Sequence, residues 1–186
     1  MKNILKLGFK LLIISLIAAL SLGYVNQITK DKIAEQRRLA NEEARKEVFQ
    51  NAETFNKIDL NKYDINTEKT VEGYEALKSE SVKGYVFKTK PKGYGGALEV
   101  IVGISNEGTI TGIRVGNHNE TPGLGAKATE KQFYSQYKDM SIGTEIGVSK
   151  TSRSDTKIKA ISGATITSQA VTNGVNSAIE SYKKIN

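Results

Sequence analysis

From Leu11 to Thr29 the chain carries no charged residue and is rich in Leu, Ile and Ala. At about 1.5 Å of rise per residue, a helix over this run reaches roughly 28 Å, close to the hydrocarbon thickness of a bilayer. Lys2, Lys6 and Lys10 precede it. A cleaved signal peptide shares that basic start and apolar stretch, but Ala19-Leu20-Ser21 is a weak cleavage site and no Cys is present to take a lipid. The pattern also continues as helix: Ile28 to Ala52 is Ala-, Glu- and Arg-rich and lacks Gly and Pro. A retained single span over 1–29 is therefore expected, followed by a helical stalk over 30–55 and a folded domain over 56–186. The three N-terminal lysines place the N-terminus in the cytoplasm and the domain outside, in a cell or inner membrane. Lys30, Lys32, Arg37 and Arg38 on the far side are interleaved with Asp31 and Glu35, and a long C-terminal domain crosses despite its charge.

The chain beyond the span is long enough to bury a core without staples. Cys is absent among the 186 residues, which removes disulfides, thiolate zinc sites and Cys-ligated iron–sulfur clusters together. His118 is the single histidine, so bis-His haem and His-rich metal sites are excluded as well. No metal site is expected, and any redox chemistry has to come from a cofactor held by other means. The formal charge of +7 is spread over lysines interleaved with Glu and Asp. Without a strip of basic and aromatic residues it reads as affinity for an anionic membrane surface rather than nucleic acid.

Beyond a weakly patterned stretch at 56–81, the apolar period becomes two. Tyr85 and Phe87 share one face of a strand over 84–89, and Leu98, Val100, Val102 and Ile104 share one face of a strand over 97–105. A turn at Asn106-Glu107-Gly108 leads to a strand over 109–115, giving an antiparallel meander. A helix is expected over 128–139, packing through Phe133, Tyr137 and Met140, then a short strand near 158–161. The last element, 167–184, repeats Val171, Val175, Ala178, Ile179 and Tyr182 at helical spacing. Strands and helices mix without βαβ regularity, so the fold class is α+β: a small antiparallel sheet with flanking helices.

Ser162-Gly163-Ala164-Thr165 sits where that short strand meets the last helix. Small residues let a backbone approach a ligand, and the free N–H groups of a helix start attract a phosphate. Thr167 and Ser168 add hydroxyl donors one turn on. The Thr165 hydroxyl lies where it could be joined to such a phosphate, but nothing adjacent supplies a base or metal-bound donor. A separate enzyme would have to perform that reaction. An ordinary N-cap is the plainer reading of the same residues. A second loop, His118-Asn119-Glu120-Thr121-Pro122-Gly123-Leu124-Gly125, combines a Pro turn with two glycines. Its Leu124 offers an apolar surface suited to an isoalloxazine face, and Glu120 or His118 could bond the ring edge. A plain strand-to-helix connection has the same composition. Lys92-Gly93-Tyr94-Gly95-Gly96 is a third flexible loop, with Tyr94 either a stacking partner or part of a structural turn. No Ser-His-Asp order surrounds His118 and no paired-carboxylate signature is present, which argues against a self-sufficient hydrolase and leaves no catalytic residue to assign.

Gly93-Tyr94-Gly95-Gly96, the loop from His118 to Gly125, and Ile161 to Ser168 occur in this order behind a single span. In this the chain resembles the FMN-binding subunits of ion-translocating redox complexes, most closely the G subunit of the Rnf complex. The related C subunit of the sodium-pumping quinone reductase shares the Thr turn and is the alternative. The resemblance implies FMN esterified through its phosphate to Thr165 by a flavin transferase using FAD. It implies a relay role in passing electrons between ferredoxin and NAD, coupled to ion movement. It also implies partners among the other membrane subunits, the D, A and E subunits especially. Ser162, Gly163, Ala164, Thr167, Ser168, Thr121, Gly123 and Gly125 would then line the cofactor with Glu120, Leu124, His118 and Tyr94. The family's motif usually has an acidic residue three positions before the Ser, where this chain has Lys159.

Overall fold

The computed structural model describes residues 2–185, without the side chains of Lys2 and Asn3. Of the three lysines read as the basic start, Lys2 thus has its side chain outside the described residues. The chain divides into two compact units, Met1–Glu42 and Glu43–Asn186. The division falls inside the segment expected to be a separate stalk.

The first unit is helical. Helix α1 runs over Lys2–Val48, its last turn belonging to the second unit. Its most apolar 18-residue window has a mean hydropathy of 2.1 and none of it is buried. Leu11, Leu16 and Leu20 are more than half exposed. Bare aliphatic surface of this extent is costly in water and at home in hydrocarbon. The polar part is stabilised along its own surface, where Arg38 bridges Glu35 at 2.8 Å and Glu42 at 2.5 Å, one turn to either side.

The second unit is built on a five-stranded antiparallel meander, ordered β1 (Thr54–Lys57), β2 (Thr70–Lys78), β3 (Ser81–Thr89), β4 (Val100–Ser105) and β5 (Ile110–Val115). Strands β2 and β3 are joined by Ser79 and Glu80, both at positive φ, the geometry of a tight hairpin matched to strand twist. Strand β4 is buried on both faces. On one face Val100, Val102 and Ile104 join Phe87, Ile110 and Ile113, and helix α3 (Thr165–Ile185) packs there through Val171, Val175, Ala178 and Ile179. On the other face Val86, Ile101 and Ala76 meet Val48 and Phe49 from the end of α1. Paired Gly103 and Gly112 make that approach possible. A Cβ on Gly103 would lie 2.7 Å from the Val48 carbonyl, whose oxygen accepts a bond from Thr111 Oγ1 at 2.5 Å.

Two expectations change. Strand β2 arises in the stretch without clear pattern, because its register shifts at Thr70/Glu72 and Ala76/Leu77 break the alternation that marks a strand. The helix expected over 128–139 is one α-turn, α2 (Lys131–Tyr134), between 3-10 turns at Gly125–Thr129 and Ser135–Tyr137. Its apolar side chains Phe133, Tyr137 and Met140 are buried as expected. The helix stops because Asp139, at φ 64°, turns the backbone out to pair with Ile110 of β5. A separate two-stranded parallel sheet, β6 (Gly147–Ser149) and β7 (Lys157–Lys159), leads into α3.

Candidate functional site

Strand β7 delivers the chain to the Ser162–Thr165 turn and is held by a side-chain amide. Lys159 N–H donates to Gln136 Oε1 at 2.8 Å, and Gln136 Nε2 donates to the Lys159 carbonyl at 3.1 Å. The turn then closes on itself: Ala164 N–H donates to the Ile161 carbonyl at 3.0 Å, with Gly163 at φ 77°. Ser168 fastens it from below, accepting from Ile161 N–H and donating to the Ala164 carbonyl, both at 2.9 Å. Ser162, Gly163 and Thr165 are exposed, and Thr165 is the first residue of α3. The N–H groups of that first turn have no carbonyl four residues back within the helix and carry its positive dipole end. An anionic phosphate is the natural partner for such a terminus.

The other two loops meet this turn through Glu120, which is 6% exposed. The Thr167 hydroxyl donates to Glu120 Oε2 at 2.6 Å, and Gly95 N–H donates to Oε1 at 3.1 Å. Glu120 N–H in turn donates to Nδ1 of half-buried His118 at 3.2 Å. One carboxylate thus ties together the loops carrying Tyr94, Leu124 and Thr165. The glycines around it are explained by this junction. A Cβ on Gly93 would overlap Glu120 Oε1, and one on Gly125 would come within 2.6 Å of Oε2. Leu124 closes the contact on the outside, its Cδ2 3.1 Å from where a Cβ of Gly163 would stand.

The three motifs read from sequence therefore come together, though not every residue faces outward. Thr121, Gly123 and Leu124 are exposed beside the turn, while Ala164 and Gly125 are buried. Thr167 and Ser168, expected to offer hydroxyls to a phosphate, are 1% and 0% exposed and spend those hydroxyls on Glu120 and on the Ala164 carbonyl. Glu120, expected at a ring edge, is likewise turned inward. Tyr94, Leu124 and Ile166 stand out at 70%, 44% and 58% exposure, one from each motif. Against the exposed face of the turn lies a cleft of about 700 Å³ lined by Thr165, Ser162, Phe133, Gln136, Lys127 and Lys150, among others. Gln136, Lys127 and Lys150 carry no sequence signal for this site, being scattered polar residues outside any motif. Behind the cleft Phe133 meets Tyr137 edge-on, and the Tyr137 hydroxyl bonds Thr172 of α3 at 2.7 Å. Burial holds that phenol's pKa well above its ordinary value, with the bond to Thr172 acting the other way. Among the described residues no group of three or more His, Asp or Glu is arranged to hold a metal.

Known proteins match both parts of the chain. Residues 93–180, which contain all three loops, match the FMN-binding domain family, and residues 1–48 match the RnfG N-terminal region. The G subunit of the Na(+)-translocating ferredoxin:NAD(+) oxidoreductase complex of Acetobacterium woodii is 40% identical over 99% of this chain and 94% of its own length. The chain belongs to the family of Rnf G subunits. The G subunit of the proton-translocating ferredoxin:NAD(+) oxidoreductase complex of Clostridium ljungdahlii is 34% identical, over 88% of this chain and 83% of its own. The G subunit of an ion-translocating oxidoreductase complex of Methanosarcina acetivorans is 32% identical, over 96% and 94%. Among solved structures, the C subunit of the Na(+)-translocating NADH-quinone reductase of Parabacteroides distasonis superposes with a TM-score of 0.53 at 24% identity, over 61% of each chain, a likeness of fold. This member of the Rnf G-subunit family is thus a membrane-associated protein with an FMN-binding domain.

Proposed function

We propose that the chain is an electron-relay subunit of an ion-translocating ferredoxin:NAD oxidoreductase and carries its FMN as a phosphoester on Thr165. The observation that carries this reading is the placement of Thr165: an exposed residue opening a 21-residue helix, beside a loop that presents Leu124. The residues fit the group. The first-turn N–H groups of α3 would hold the phosphate, and Tyr94, Leu124 and Ile166 offer apolar surface to the ring system. Exposed large hydrophobic side chains on the loops that Glu120 ties together are what a bound aromatic ligand would cover. A flavin supplies reversible one- and two-electron transfer, which this chain, without Cys, has no side chain to perform.

Attachment would be made by a separate flavin transferase. The Thr165 oxygen bonds to the FMN phosphorus of FAD as the pyrophosphate bond breaks, AMP leaves, and the hydroxyl proton passes to the transferase. Residues 1–29 would anchor the chain as a single span with its N-terminus in the cytoplasm and the FMN-binding domain outside. Partners would be the other membrane subunits of the complex, with the D, A and E subunits among them.

Intact mass and in-gel fluorescence of the chain, produced with and without a flavin transferase, test this directly. A gain of one FMN less water, dependent on the transferase and lost in Thr165→Ala, is the expected result. An unmodified mass despite active transferase would refute covalent attachment.

A further inference from the structure

We propose that Glu120 is a positioning residue for flavin attachment: its buried carboxylate, bonded to Thr167 and Gly95, sets the Thr165 turn in the geometry that the transferase must meet. The inference rests on covalent attachment at Thr165 and concerns what presents that hydroxyl. Three observations carry it. Glu120 is 6% exposed, and its two oxygens accept from two separate segments, Thr167 Oγ1 of α3 at 2.6 Å and Gly95 N at 3.1 Å. Thr167 is 1% exposed, so loss of the carboxylate would leave its hydroxyl without an acceptor, whereas the exposed Gly95 N–H would turn to solvent and free its loop. Second, the surrounding chain is shaped around it, since Cβ atoms on Gly93 or Gly125 would overlap the carboxylate oxygens. Third, its bond lands on Thr167, two residues from the acceptor and still within the first turn of α3. Fixing Thr167 fixes the phase of the helix start, and with it the direction of the Thr165 hydroxyl. The same bonds hold the Leu124 loop against Gly163.

A carboxylate that only stabilised the fold would make flavin attachment track overall stability. A positioning carboxylate instead raises the fraction of chains whose turn is competent, and its loss reads out as weaker acceptance of the protein with unchanged handling of FAD. The test uses the full chain in detergent with purified transferase, Mg²⁺ and FAD, reading flavin incorporation by intact mass over time and the thermal midpoint in parallel. Thr167→Val removes the donor while keeping the side chain's shape, and Thr167→Ser keeps the donor. Glu120→Gln keeps the shape and one carbonyl oxygen, while Glu120→Ala removes both acceptors. Thr70→Val removes a buried bond to the far end of the same helix, 2.8 Å to Ser181, away from the attachment turn.

Thr167→Val and Glu120→Ala are expected to lower kcat/KM for the chain as acceptor by about tenfold to a hundredfold, as fits loss of a bond to a charged acceptor. The KM for FAD should not move, Thr167→Ser should retain most of the wild-type rate, and Glu120→Gln should fall between. Thr70→Val should lower the midpoint without lowering incorporation. Wild-type incorporation in Thr167→Val and Glu120→Ala would overturn the proposal, as would a loss in Thr70→Val in the same proportion to its midpoint. If the wild-type chain itself takes no flavin, covalent attachment fails first, a result distinct from either, and the positioning role falls with it.

Discussion

Gly163 occupies the apex of the attachment turn at φ 77°, where a side chain is disfavoured, and the Leu124 methyl already stands 3.1 Å from the place a Cβ would take. Gly163→Ala should therefore cost about 1 kcal/mol and lower the thermal midpoint by about 3 °C. An unchanged midpoint would mean the turn relaxes freely. At this scale Thr165 and its loops are legible in the sequence, because Gly and Pro punctuate a chain locally. The inward orientation of Glu120, Thr167 and Ser168 is not. Glu120 and Thr167 are 47 residues apart, and a carboxylate aimed at a cofactor looks the same in sequence as one aimed at a hydroxyl. The glycines beside Glu120 suggest room for a ligand, whereas their missing side chains make room for that carboxylate.

Helix α3 and the sheet are joined at close range by Gly174, where a Cβ would lie 2.8 Å from Thr89 Oγ1, 2.9 Å from Pro91 Cγ and 3.1 Å from Val100 Cγ2. On an exposed helix, Gly to Ala gains up to about 1 kcal/mol. Here overpacking, about 1–3 kcal/mol, outweighs that gain, so Gly174→Ala is expected to destabilise in urea titration. A stabilised variant would mean that helix and sheet sit further apart. Elements whose partners are neighbours in sequence are legible: β4 and β5 flank one short turn, and α3 keeps its helical spacing along its length. Strand β2 is not, since Gly73 in its middle leaves room for Ile58 and Leu60 rather than adding to a hydrophobic stripe. The region around α2 misleads for the opposite reason, a helical spacing of buried residues overridden by pairing with Ile110.

For the molecule as a whole, pH acts through tyrosines. Burial raises the phenol pKa of Tyr137, Tyr85 and Tyr182 above the ordinary 10.0, with Glu75 adding to the effect at Tyr85. Once pH passes about 10, the unfolded chain has released protons that the folded one retains, so stability falls with rising pH. Below about 10 these groups contribute their full stabilisation. The urea midpoint should accordingly be insensitive to them from about pH 7 to about 10 and drop above it, and Tyr137→Phe should soften the drop. A flat profile to about pH 11.5 would contradict the raised values.

The seating of Val48 over Gly103 and Gly112 bears on how the domain can be isolated. Val48 and Phe49, 2% and 3% exposed, are the lid over Ala76, Val86 and Ile101. A fragment beginning at Glu43 keeps that lid, whereas one trimmed to Glu53, just before β1, presents bare aliphatic sheet to solvent. The shorter fragment should self-associate on size-exclusion chromatography and the longer one should run as a monomer. The terminal helix would then be a helper in solubility as well as a tether, and attempts to crystallise or flavinylate the domain alone would succeed or fail on those few residues.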